Sequence, residues 1–115
     1  MNHSLMPYLS KSIIDQIWLK ATAVDGFNSD KWRKDFAGAW IQRDQFGLSG
    51  SQAPFGWAID HLKPKSMGGS DDVSNLLPLH WKNNVAKSNR YPEFKTVVTS
   101  LGNKNVEKER SWTVK

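Results

Sequence analysis

The chain has 115 residues, enough for one domain with a modest core. Its 38% hydrophobic and 23% charged residues, with a mean hydropathy of -0.59, exclude a disordered or membrane-embedded chain. The absence of cysteine excludes disulfides, thiol catalysis and cysteine-bound zinc, and the net charge of +5 favours a polyanionic partner.

That charge is unevenly placed. Residues 1–55 hold six basic and five acidic groups, a net of +1, whereas residues 56–115 hold ten and six, a net of +4. In the first twenty residues, Asp15 and Gln16 interrupt the only apolar stretch and no small-residue cleavage site follows. No signal peptide is expected, and the protein is expected to stay inside the cell.

In chain order, Ser10 or Ser12 can cap an amphipathic helix over 11–23, in which Ile13, Ile17 and Ala21 recur every four residues beside Ile14 and Trp18. "VDGFNSD" has turn composition, and Asp30 can cap a short second helix through "KWRKDF" that ends near Gly38. These two would make a helical part over about 10–38. "AWIQR" and "WAID" are strand-forming, separated by the loop "DQFGLSGSQAPFG", and are expected to pair as a hairpin. From His61 to Ser74 the Pro, Gly, Ser and Asp content predicts an irregular loop, then the short apolar segment "NLLPL". "HWKNNVAKSNRY" reads as a helix that Pro92 terminates, and the residues after it as a closing hairpin. There are no repeats.

One feature resists a purely structural account. Asp60 and His61, two polar residues that are costly to bury, directly follow the apolar run Phe55 to Ile59. Thirteen residues separate His61 from Asn75, eight more precede Asn84, and Lys87 follows three later. With that spacing and the order strand, loop, strand, helix, "IDHLKPKSMGGSDDVSNLLPLHWKNNVAK" resembles the HNH endonuclease motif, the ββα-metal finger of many phage and bacterial nucleases. The wider frame around "GWAIDH" and "PLHW" is similar to small stand-alone HNH proteins, bacterial or phage-encoded. The resemblance implies an α+β fold: N-terminal helices, the finger over about 55–92, and a C-terminal β-hairpin, in a single domain over 1–115.

The resemblance also implies roles. His61 would be the general base that takes a proton from water, since a neutral imidazole titrates near working pH. Asp60 and Asn84, both hard oxygen donors, would hold one divalent metal, magnesium or manganese. Asn75 would brace the loop and hold the His61 backbone or ring. Side chains diverging from a strand end suit an in-line displacement, with water on one side of the phosphorus and the leaving oxygen on the other.

Lys63, Lys65, Lys82, Lys87 and Arg90 are candidate phosphate contacts, His80 could touch DNA or the metal's water shell, and Arg33 and Arg43 could add surface. Relatives with a structural zinc carry cysteines at the positions of His80 and Asn83, so no zinc staple is expected. Ser88 replaces the additional metal histidine of colicin-type members. The expected activity is metal-dependent hydrolysis of duplex DNA, with no membrane or small-molecule cofactor. A non-catalytic nucleic-acid-binding module and an RNA-directed toxin nuclease remain alternatives.

Overall fold

The computed structural model describes residues 9–115; the first eight residues of the stretch weighed as a possible leader lie outside them. Helix α1 (Lys11–Trp18) starts where Ser10 Oγ accepts the Ile13 amide, and it buries Ile17 and Trp18. It ends five residues earlier than its periodicity predicts. Thr22 exchanges both backbone hydrogen bonds with Lys34, 2.8 and 2.9 Å, and that extended pairing draws the chain out of the helix.

The expected second helix is not formed; strands β1 (Trp32–Lys34) and β2 (Trp40–Gln42) pair antiparallel in its place. The cause lies at the turn between them. Asp35 Oδ1 accepts the Ala37 and Ala39 amides at 3.0 and 2.9 Å, while Gly38 takes φ 92°, a left-handed conformation that costs glycine little. The same carboxylate accepts bonds from two residues of the finger, so long-range contacts override local helix propensity. Asp30 caps no helix: its amide donates to Asn28 Oδ1 within the preceding turn.

The expected hairpin between "AWIQR" and "WAID" is also replaced. Strand β3 (Trp57–His61) pairs antiparallel with β4 (Leu76–His80), in a register that runs from Trp57 opposite His80 to His61 opposite Leu76. Among the described residues a single backbone bond, from the Gln42 amide to the Phe55 carbonyl at 3.1 Å, links β2 to the segment entering β3. Helix α2 (Trp81–Lys87) follows β4 without a loop and completes a ββα unit. It stops at Ser88, φ 52°, four residues before the proline expected to end it.

Strands β5 (Glu93–Leu101) and β6 (Lys104–Thr113) form the expected closing hairpin around Gly102, φ 63°, the sign a II′ turn requires at its first residue. The principal apolar cluster joins α1 to the finger: Ile17, Trp18, Ala21, Ile41, Trp57 and Leu76 are all buried. Trp57 lies at its centre, 5.3 Å from the Trp18 ring and 4.8 Å from Phe46. β3 thus starts in the principal apolar cluster and carries its polar pair at the far end. The architecture is mixed α+β, and among the described residues no helix is long and apolar enough to cross a membrane.

Candidate metal and phosphodiester site

Successive residues of β3 face opposite ways, which separates Asp60 from His61. Asp60 is 6% exposed and faces α2. There the Lys87 ammonium lies 3.2 Å from Asp60 Oδ2, in ion-pair contact but not aligned to donate, so Oδ2 accepts no hydrogen bond. Lys87 donates instead to the His61 carbonyl, 3.1 Å. Burial pushes the Asp60 carboxyl up to about 6, against the opposing pull of Lys87. A buried carboxylate oxygen with no donor is costly to maintain and is a hard ligand for a divalent cation. The donor set therefore fits the metal that the sequence implies.

The two adjacent asparagines of α2 differ sharply. Asn83 is fully buried and fully used: Nδ2 donates to Asp35 Oδ2 and the Val98 carbonyl, and Oδ1 accepts the Val97 and Val98 amides. Those two amides belong to the irregular step in the β5–β6 register between Thr96 and Val98, where ladder partners are lacking. Asn84 is half-buried, and among the described residues its carboxamide makes no hydrogen bond. It stands one helical turn before Lys87, on the face that meets Asp60. Asn84 is thus the free donor of the pair.

His61 faces the loop. Its Nε2 lies 2.7 Å from Asp71 Oδ1, and Asp71 Oδ2 accepts from Lys65 at 2.9 Å. Those two bonds, the one from His61 foremost, hold the Asp71 carboxyl below its ordinary value. An ionised carboxylate only accepts, so Nε2 is the donor of this contact. Among the described residues Nδ1 has no hydrogen-bond partner.

Asn75 does not touch the His61 side chain. Its Oδ1 accepts the Lys63 amide at 2.9 Å, and its Nδ2 donates to the Lys63 and Ser70 carbonyls at 3.0 and 2.9 Å. It closes the base of the loop, one residue before Asp71. Gly69 makes the closure possible, because a Cβ there would stand 1.7 Å from the Lys63 oxygen.

Several expected nucleic-acid contacts are turned inward. Lys87 is completely buried beneath the site, so its charge serves Asp60 and the His61 carbonyl. His80 is 2% exposed: Nδ1 accepts the Lys82 amide to cap α2, and Nε2 donates to the Pro54 carbonyl at 2.8 Å. Burial lowers its affinity for a second proton. Arg33 donates to the Ser29 and Ala21 carbonyls, and Arg43 pairs with Asp15 at 2.7 Å, so both serve the scaffold. Lys63, Lys65 and Arg90 are exposed, although Lys65 is paired with Asp71.

The sequence reading missed Asp71, which lies in a run of turn-forming residues, and Asp35, which looked like part of a helix. The available signal was Asp71's position beside a glycine pair within the loop that leaves His61.

Among the described residues no three His, Asp or Glu side chains gather as a ligand set, so Asp60 and Asn84 would share a cation with water and phosphate. No curated protein and no solved structure matches the chain. One family model does: residues 56–93, the stretch from just before β3 to the first residue of β5, match the family described as HNH endonuclease, a nuclease family and the one that Asp60, His61, Asn75 and Asn84 had suggested.

Proposed function

We propose that this protein is a metal-dependent endonuclease that hydrolyses DNA phosphodiesters, leaving a 5′-phosphate and a 3′-hydroxyl. The observation that carries the reading is the divergence at the end of β3. Asp60 offers a buried oxygen on the α2 side that accepts no hydrogen bond and faces only the Lys87 ammonium, while His61 presents on the loop side a ring nitrogen with no hydrogen-bond partner among the described residues. Asp60 and Asn84 would hold one magnesium or manganese ion, which when bound supplies positive charge against the phosphate and the leaving oxygen.

The chain's own residues do the rest. His61 Nδ1 removes a proton from the attacking water, contributing about 100- to 10,000-fold as a general base. Lys87 supports the ionised form of Asp60 from beneath, and Asn75 keeps the loop closed beside His61. Lys63 and Arg90, both exposed, are available to phosphates on either side of the scissile bond. The surplus of positive charge in residues 56–115 draws a polyanion to this half of the chain.

The test is cleavage of supercoiled plasmid in magnesium, manganese, zinc or EDTA, with duplex DNA, single-stranded DNA and RNA digested in parallel. Wild type is expected to cut duplex DNA with magnesium or manganese and to stop in EDTA. His61→Ala should lose about 100-fold or more of the rate while keeping its fold and its DNA affinity. Undiminished nicking by that variant would overturn the mechanism, and preferential digestion of RNA would overturn the substrate.

A further inference from the structure

His61 is held at Nε2 by a carboxylate that is not one of the proposed ligands, and that carboxylate is itself anchored. Asp71 Oδ1 is 2.7 Å from His61 Nε2, Oδ2 is 2.9 Å from Lys65 Nζ, and the carbonyl one residue before Asp71 accepts from Asn75. The loop from Leu62 to Asn75 is therefore closed three times: through Asn75 to Lys63 and Ser70, through the Leu62 amide to the Asn75 carbonyl at 2.9 Å, and through Asp71 to the His61 ring.

We propose that Asp71 is a positioning residue for His61: it selects the imidazole tautomer with hydrogen on Nε2 and fixes the ring so that Nδ1 presents its lone pair to the attacking water. Asn75 acts on the reaction through this contact, since it holds the backbone that delivers Asp71 and does not reach the ring. The inference rests on the nuclease reading for its catalytic consequence, but not for the tautomer.

The physical argument has two parts. A free imidazole divides its hydrogen between two nitrogens and rotates, so an unheld base spends part of its time with the wrong nitrogen bare. A carboxylate at 2.7 Å removes both freedoms, because it can only accept and because a short charge-assisted bond is directional. When Nδ1 takes the water proton, the water oxygen forms its bond to phosphorus and the P–O bond to the leaving sugar oxygen breaks with its electron pair, and that oxygen takes a proton from solvent to become the 3′-hydroxyl. The ring is then imidazolium, and Asp71 faces the new charge. The proton on Nδ1 returns to solvent afterwards.

The experiment has two arms on the full chain. Long-range proton–nitrogen correlation of nitrogen-15-labelled protein, recorded across a pH series, reports the tautomer directly. Wild type is expected to show His61 protonated at Nε2 and bare at Nδ1, and Asp71→Ala to show a mixture. In the cleavage arm, Asp71→Ala should lose about 10- to 100-fold in kcat, with KM for plasmid and manganese affinity within about two-fold of wild type. Asp71→Asn, which keeps an acceptor of the same size, should recover part of that loss. His61→Ala/Asp71→Ala should cut no more slowly than His61→Ala, because a residue that acts through His61 has nothing to act on without it.

A wild-type ring protonated at Nδ1 would overturn the proposal, as would an Asp71→Ala loss of equal size with and without His61. Should wild type cut no nucleic acid with any metal, the nuclease reading fails, and the tautomer still decides whether Asp71 directs His61.

Discussion

Two polar networks meet at α2, and they are built to different standards. Around Asp35, every buried polar group has its partner: the carboxylate accepts from Ala37, Ala39, His80 and Asn83, while Asn83 uses both donors and its acceptor. Around Asp60, the arrangement is left open. One carboxylate oxygen accepts nothing, the neighbouring Asn84 carboxamide has no partner among the described residues, and His61 keeps an unused nitrogen. A satisfied network stabilises and orients; an open one in the same domain is where a ligand completes the bonding.

The comparison also explains how a finger without cysteine is held together. His80 and Asn83 occupy the positions at which the resemblance implies zinc-binding cysteines in other members. Here His80 caps α2 and bonds to Pro54, while Asn83 ties α2 to Asp35 and to β5. Hydrogen bonds between β1–β2, α2 and β5 therefore join the elements around this end of the finger.

The largest effect expected from breaking this contrast is at the paired asparagines. Asn83→Ala strips partners from the Val97 and Val98 amides and from Asp35, at about 1–3 kcal/mol for each buried group left unsatisfied. Urea denaturation should show a loss of about 3 kcal/mol or more. Asn84→Ala should change stability by less than about 0.5 kcal/mol but weaken manganese binding measured by calorimetry. Equal destabilisation by both variants would erase the distinction.

Asp60 gives a smaller effect with a definite sign. Its folded carboxyl titrates at about 6, against an ordinary value of 3.8, so between those values the folded chain holds a proton that the unfolded chain has released. In EDTA, stability should therefore fall as pH rises through that window, by up to about 3 kcal/mol. Asp60→Asn should flatten that limb of the stability curve. Replacing EDTA with magnesium should reduce the fall, since cation binding favours the ionised carboxylate.

His80 should show the opposite slope and the smallest change. Burial depresses its pKa below 6.5, so as pH drops below that value the unfolded chain takes up a proton that the folded chain refuses, and stability declines. His80→Gln removes this limb while Asp60→Asn does not, which separates the two networks by pH alone.

Much of the candidate site could be laid out from the sequence because its residues are spaced by short, local geometry. Asp60, His61, Asn75 and Asn84 lie on one strand, loop, strand and helix in sequence order, and the fold preserves that order. What was hidden depends on distant partners. "KWRKDF" has the composition of a helix, and only His80 and Asn83, 45 and 48 residues away, make Asp35 the centre of a turn. β3 and β4 are joined across the very loop that the motif defines, whereas β2 matched β3 equally well on strand propensity. The burial of Lys87 was hidden for a related reason: a lysine on a short polar helix looks solvated until β3 is packed beneath it.

The closure of the loop by Asn75 bears on how such a protein can diversify. A segment pinned at Lys63 and Ser70, with no room for a side chain at Gly69, cannot gain or lose residues without releasing Asp71 from His61. Because Lys65 anchors Asp71, changes in the nucleic acid engaged by the proposed nuclease would then come by exchanging the exposed side chains at Ser66 and Met67, at constant length. For anyone retargeting the proposed nuclease, those two positions form a small library that leaves the His61 ring in register.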